Sequence, residues 1–129
     1  MRLGAVMLLV MLGFAGYLVL AMPNQDARGV ALQEVPGGDA ERGRMIIRSY
    51  GCGSCHVVPG VPGANGSVGP PLTEFARRAY IAGALPNNPD NLVRWIVNPQ
   101  AVEPGTAMPT IGLSEEEARH IAAYLATLR

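Results

Sequence analysis

Apolar positions along this chain fall into one long run followed by short periodic stripes. Leu3 to Met22, LGAVMLLVMLGFAGYLVLAM, is unbroken by any charge and has about the 20 residues that a helix needs to cross ~30 Å of hydrocarbon. It predicts a single N-terminal transmembrane helix within residues 1–22. A cleaved secretory signal is the competing reading, with small residues at Val19-Leu20-Ala21. The run is longer than the ~7–15 residues of a signal's apolar region, and Pro23 stands just past the cut, so an uncleaved anchor fits better. Arg2 and the α-amino group precede the run and no cationic cluster follows it. That asymmetry places the N-terminus in the cytoplasm and everything after Met22 on the extracytoplasmic side.

Residues 23–38, PNQDARGVALQEVPGG, are polar, bounded by Pro and Gly, and without sustained periodicity; they read as a flexible linker. Asp39 can cap a helix opening at Ala40, with Ile46, Ile47 and Tyr50 along one face. Gly43 is out of place in that helix, where it costs ~1 kcal/mol against Ala, so another backbone is expected to approach closely there. Ser114-Glu115-Glu116-Glu117 has the Ser-x-x-Glu form of a capping box. Ala118, Ile121, Leu125 and Leu128 then make an apolar stripe with Tyr124 at its edge. A shorter helix is expected over Asp90–Val97, where Leu92, Trp95 and Ile96 share a face, and another over Leu72–Ala82. Glycine- and proline-rich loops separate these pieces at 59–71, 85–89 and 99–112. No alternating run long enough for a strand is present. Residues 39–129 therefore form a small all-α domain of about 3–5 helices and long loops.

That domain has little to build a core from, since the entire chain holds two Phe and one Trp. A domain this small buries a modest fraction of its surface, and some further apolar body should fill its centre. Charge narrows the choice of partners. Once Arg2 is set aside, nine arginines face ten carboxylates, and there is no lysine. A near-neutral domain lacks the basic surface that nucleic-acid binding requires.

Both cysteines and one of the two histidines stand together in GCGSCHVVPG, residues 51–60. A zinc site needs four ligands, and adjacent Cys55 and His56 are awkward partners on one tetrahedral ion. A thioredoxin-like dithiol sits after a strand, and no strand is expected here. The order Cys-x-x-Cys-His instead matches covalent attachment of one c-type haem. Each thiol adds across a vinyl group, the two-residue gap matches the vinyl separation, and His56 falls beneath the ring as an iron ligand. A buried macrocycle also supplies the missing core area.

For the other side of the iron the candidates are Met108 and His120. Met45 lies too near the motif, and the other methionines are in or beside the apolar run. His120 falls opposite the Ile121 and Leu125 stripe and reads as a solvated surface histidine. Met108 lies in Pro104-Gly105-Thr106-Ala107-Met108-Pro109, a proline-stiffened loop with no stripe that would bury a methionine for packing alone, and is the expected ligand. A thioether favours ferrous iron and raises the reduction potential relative to two histidines.

From about Asp39 to Arg129 the chain resembles the class I cytochrome c family and is similar in particular to the short haem domains attached to bacterial cytochrome c oxidases. The resemblance rests on Gly43, Cys52-Gly53-Ser54-Cys55-His56, Gly69-Pro70-Pro71-Leu72, Asn91-Leu92-Val93-Arg94-Trp95-Ile96, Met108-Pro109 and Tyr124-Leu125, in the family's order. It implies that the Pro70 carbonyl accepts the Nδ1 proton of His56, that Arg78 pairs with a haem propionate with Arg77 as its rival, and that the Trp95 indole donates to a propionate. It also implies that Gly43 meets the last helix near Tyr124 and Leu125. The soluble mitochondrial members ring their haem edge with lysines, which this chain lacks.

The expected function is one-electron transfer, without enzymatic activity of its own, between membrane-associated redox proteins: an oxidase, a quinol-oxidising complex or a dehydrogenase. The chain would sit in the bacterial inner membrane through residues 3–22, with the haem domain in the periplasm. A tether takes over the role that electrostatic steering plays in a soluble carrier. The competing readings are a haem peroxidase or gas sensor with a labile Met108, for which no distal acid–base residue is evident, and a purely structural assembly subunit.

Overall fold

The computed structural model describes Met11, Leu32 and residues 34–129. The expected membrane span and most of the expected linker lie outside the described residues. Among the described residues no helix is long and apolar enough to cross a membrane.

Helix α1, Ala40–Ser49, starts where predicted: the Asp39 carboxylate accepts from Arg42 N at 3.0 Å. Helices α2, Pro89–Val97, and α3, Pro99–Val102, follow one another with a single residue between them. Asn98 closes α2 and caps α3, its side chain accepting from Ala101 N at 3.2 Å. Helix α4, Glu115–Thr127, carries the full capping box, Ser114 accepting from Glu117 N while Glu117 accepts from Ser114 N. Bonds from the Ser114 backbone and hydroxyl, with one from the Tyr50 hydroxyl, hold the Glu117 carboxyl below the usual range.

Helix α1 packs on α4, and α2 packs on α4 beside it. The α1–α4 contact is backbone against backbone. A Cβ on Gly43 would lie 2.0 Å from the His120 carbonyl oxygen, so only glycine permits the crossing. The close approach centres on His120 and Ile121, one turn before the Tyr124–Leu125 position that the resemblance implies. Ile47, Leu92, Ile96, Ile121 and Leu125 fill the space between the helices, each contributing ~1.5–3 kcal/mol by burial.

Three expectations are corrected. His120 is not a solvated surface residue: it is buried at 7% exposure, and its Nδ1 accepts the backbone N–H of Asp39 at 3.0 Å. Its place opposite the apolar stripe is covered by α1, which the Gly43 approach brings near enough to hide a polar side chain. The helix expected over Leu72–Ala82 is a short 3-10 turn, Phe75–Arg77, followed by strand β1, Tyr80–Ile81, paired antiparallel with β2, Leu85–Pro86. Glu74 and Ala82 both adopt positive φ, 52° and 51°, which breaks a helix at each end. Of the linker expected over residues 23–38, the described residues join the domain. Leu32 and Val35 are core residues, and Leu32 N donates to Ala76 O at 2.7 Å. Two apolar side chains spaced by three in a polar stretch are enough to dock it.

Candidate haem site

Cys52–Ser54 forms a 3-10 turn directly after α1. Cys55 N and His56 N both donate to Cys52 O, at 3.2 and 3.0 Å, which winds the two thiols and the imidazole around a single carbonyl. Cys52 and Cys55 are half-buried and not joined to each other. Burial pushes the Cys52 thiol up. Among the described residues no three or more Cys, His, Asp or Glu side chains gather where they could hold a metal ion together.

The chain after His56 folds back beneath the turn. Gly66 N donates to Gly53 O at 3.0 Å, Gly69 N to Cys55 O at 2.8 Å and Leu72 N to Val57 O at 2.8 Å. Gly69 lies against the imidazole, where a Cβ would stand 2.3 Å from His56 Cε1. Nδ1 of His56 is 2.7 Å from the Pro70 carbonyl oxygen. A carbonyl can only accept, so Nδ1 carries the proton and Nε2 keeps its lone pair for a metal. A flat ring pinned on one side, with its free nitrogen turned from the bond and two thiols on the same turn, fits a covalently held haem.

Met108 packs partly against the core from the loop after α3. Gln100, a residue sequence reasoning missed, holds that loop: its Nε2 donates to Thr106 O at 2.7 Å and to Met108 O at 2.9 Å, and its Oε1 accepts from Gly105 N at 3.1 Å. Thr110 Oγ1 adds a bond to Asn98 Oδ1 at 3.1 Å. Trp95 is buried on the α2 face that packs into the core.

The two arginines separate clearly. Arg77 is two-thirds exposed and pairs with Glu74 at 3.1 Å. Arg78 lies 5.2 Å over the Phe75 ring and its Nη2 donates to the carbonyls of Pro71 and Thr73, on the segment that continues from Pro70. Asn87 holds this region together and was also missed. It is 6% exposed, and its Nδ2 donates to Phe75 O and Arg78 O, both at 3.0 Å. Its Oδ1 is buried without a partner among the described residues. The Asn-Asn-Pro sequence at 87–89 signals only a turn; nothing local marks the first Asn as a bracket.

The last helix ties into the site as well. Tyr124 OH donates to Pro59 O at 2.6 Å, three residues beyond His56.

Comparison with known proteins agrees with this geometry. The family model described as Cytochrome c matches residues 40–129. The chain is 40% identical over 91 residues to cytochrome c oxidase subunit 2 of Alkalihalophilus pseudofirmus, covering 70% of this chain and 26% of that one. It is 30% identical over 94 residues to the same subunit of Bacillus subtilis, again 70% and 26%. Against cytochrome c of Guizotia abyssinica it is 32% identical over 105 residues, 71% of this chain and 92% of the relative. The chain thus spans about a quarter of the length of the oxidase subunits it matches. With the family model matching the whole helical domain, the chain belongs to the cytochrome c family, electron-transfer proteins that carry a covalently attached haem c.

Proposed function

We propose that this chain is a membrane-tethered mono-haem cytochrome that passes single electrons between respiratory-chain partners, as a subunit of, or captive donor to, a terminal oxidase or a periplasmic dehydrogenase complex. The observation that carries the haem assignment is the His56 Nδ1 to Pro70 O bond at 2.7 Å beside Cys52 and Cys55. Cys52 and Cys55 would hold the macrocycle through thioethers, and His56 Nε2 and Met108 would bind its iron. The haem supplies one-electron chemistry between ferrous and ferric iron. Pro70 fixes the His56 tautomer and strengthens it as a donor. Arg78, already on the Pro71–Thr73 carbonyls, would pair with a propionate, and Trp95 would donate its indole N–H to one. Gln100 keeps the Met108 loop closed.

Residues 3–22 anchor the chain in the bacterial inner membrane with the haem domain in the periplasm; support comes from the length of the apolar run and the placement of Arg2. Likeness to oxidase subunit 2 supports a terminal oxidase as the partner. The peroxidase or sensor reading loses its one spare histidine, because His120 is engaged at Asp39 N between α1 and α4. The test is the visible spectrum of the dithionite-reduced protein with and without carbon monoxide. An unchanged spectrum is expected, since Met108 fills the sixth position. A shifted spectrum would reverse the assignment and make ligand binding at iron the function.

A further inference from the structure

Leu32 and residues 34–39 lie along α4 rather than leading away from the domain. Leu32 and Val35 are only 1% and 4% exposed. Leu32 N donates to Ala76 O at 2.7 Å, and Ala76 N donates to Leu128 O at 2.9 Å, which places Leu32 beside the C-terminal end of α4. Val35-Pro36-Gly37-Gly38 then makes a tight turn. Gly38 N donates to Val35 O at 3.0 Å, and Gly37 takes φ 74°, the left-handed conformation that the third position of a type II turn requires. Gly38 lies flush on α4, where a Cβ would stand 2.6 Å from Ala123 Cβ and 2.8 Å from the Arg119 carbonyl oxygen. Asp39 N finally donates to His120 Nδ1 at 3.0 Å. The buried imidazole clamps one end of the segment and Ala76 the other, about two turns of α4 apart.

We infer that this segment is a strap that sets the orientation of the domain on the membrane, with the Leu128 end of α4 facing the lipid headgroups and the Ser114 end facing away. The inference rests on the proposed membrane span at residues 3–22. Between Met22 and Leu32 only nine residues remain, which reach at most ~30 Å when extended, against ~50 Å for the sixteen of residues 23–38. Helix α4 is itself ~20 Å long. The chain enters the domain beside Leu128, so turning the domain over would take up most of that reach in passing the length of α4. The exposed side chains at the Leu128 end are Arg77, Thr127 and Arg129. They are polar, which suits a layer of hydrated headgroups and excludes entry into hydrocarbon. The tether then supplies direction as well as proximity, and a redox partner in the same membrane meets the domain from a restricted set of angles.

The test places one reactive thiol at either end of α4, as Thr127→Cys or Glu115→Cys, both exposed positions, in the full-length holoprotein. Each variant is reconstituted into phosphatidylcholine vesicles that carry a small fraction of a maleimide-headed lipid. Coupling to that lipid is followed as a gel shift and divided by the rate with a soluble maleimide, which removes differences in intrinsic reactivity. Thr127→Cys is expected to couple about ten-fold faster than Glu115→Cys. Releasing the strap with Leu32→Ser and Val35→Ser should bring the two rates within about two-fold of each other. A Gly-Ser insertion before Leu32 that doubles the nine-residue tether should shrink the difference to about three-fold while leaving every strap contact in place, so it carries the test should the double serine variant lose its haem spectrum. Equal coupling at the two positions without further change would overturn the inference, as would a ten-fold difference that survives both release and insertion. Failure of the membrane span beneath it is seen separately, as holoprotein left in the supernatant when the vesicles are pelleted.

Discussion

The α1–α4 crossing and the loops that carry the cysteines and Met108 are built in opposite ways. At the crossing, regular helices meet with Gly43 against the His120 carbonyl, and the polypeptide supplies both sides of every contact. In the loops, 51–73 and 103–114, regular structure is nearly absent. Order comes from backbone bonds such as Gly69 N to Cys55 O and from side-chain brackets, chiefly Gln100 and Asn87. One half is specified by packing, and the other, on the proposed ligation, is shaped around a body that is not protein. The Tyr124 to Pro59 bond joins them.

If that division is right, removing the haem should strike the loop half hardest. A few hundred Å² of buried macrocycle at ~25 cal/mol per Å² stabilises by on the order of 10 kcal/mol, comparable with the ~5–15 kcal/mol total of a small domain. The haem-free Cys52→Ala, Cys55→Ala protein should therefore lack a cooperative thermal transition by circular dichroism. A sharp two-state transition in that protein would mean that the chain alone holds its loops. Next in size is Gly43→Val, which forces the helices apart and should cost about 3 kcal/mol in denaturant unfolding while leaving the visible spectrum unchanged. A spectral change would show that the halves are not separable. The smallest effect tests the link between them: Tyr124→Phe leaves Pro59 O without its donor and should cost about 1 kcal/mol. Its readout is the denaturant midpoint of the holoprotein, and no change there would remove Tyr124 from the description of the site.

The same division explains what was legible in the sequence. α1, α2 and α4 declare themselves through caps and apolar spacing, because those signals are local: Asp39, the Ser114–Glu117 box and the Ile121–Leu125 stripe sit inside the elements they define. Cys52, Cys55 and His56 are legible for a similar reason, since one turn holds all three. What escaped depends on distant chain. His120 looked solvated because the helix that covers it lies 81 residues away at Asp39. Leu32 and Val35 looked like linker because their partners are on the Phe75–Arg77 turn and other distant parts of the core. Asn87 and Gln100 carry no sequence signal of their own, for an amide becomes a bracket only when loops are folded around it. Leu72–Ala82 had helical spacing but not helical backbone, as the positive φ at Glu74 and Ala82 shows.

The Gln100 amide also sets a clock. It grips the Met108 loop at Gly105, Thr106 and Met108 at once, with Thr110 fastened separately to Asn98. On the proposed ligation, moving the whole loop away from iron would require several of these bonds to release together. Access of a small molecule through such loop opening would then be a first-order event timed by the protein. Its rate should level off as the incoming molecule is made more concentrated.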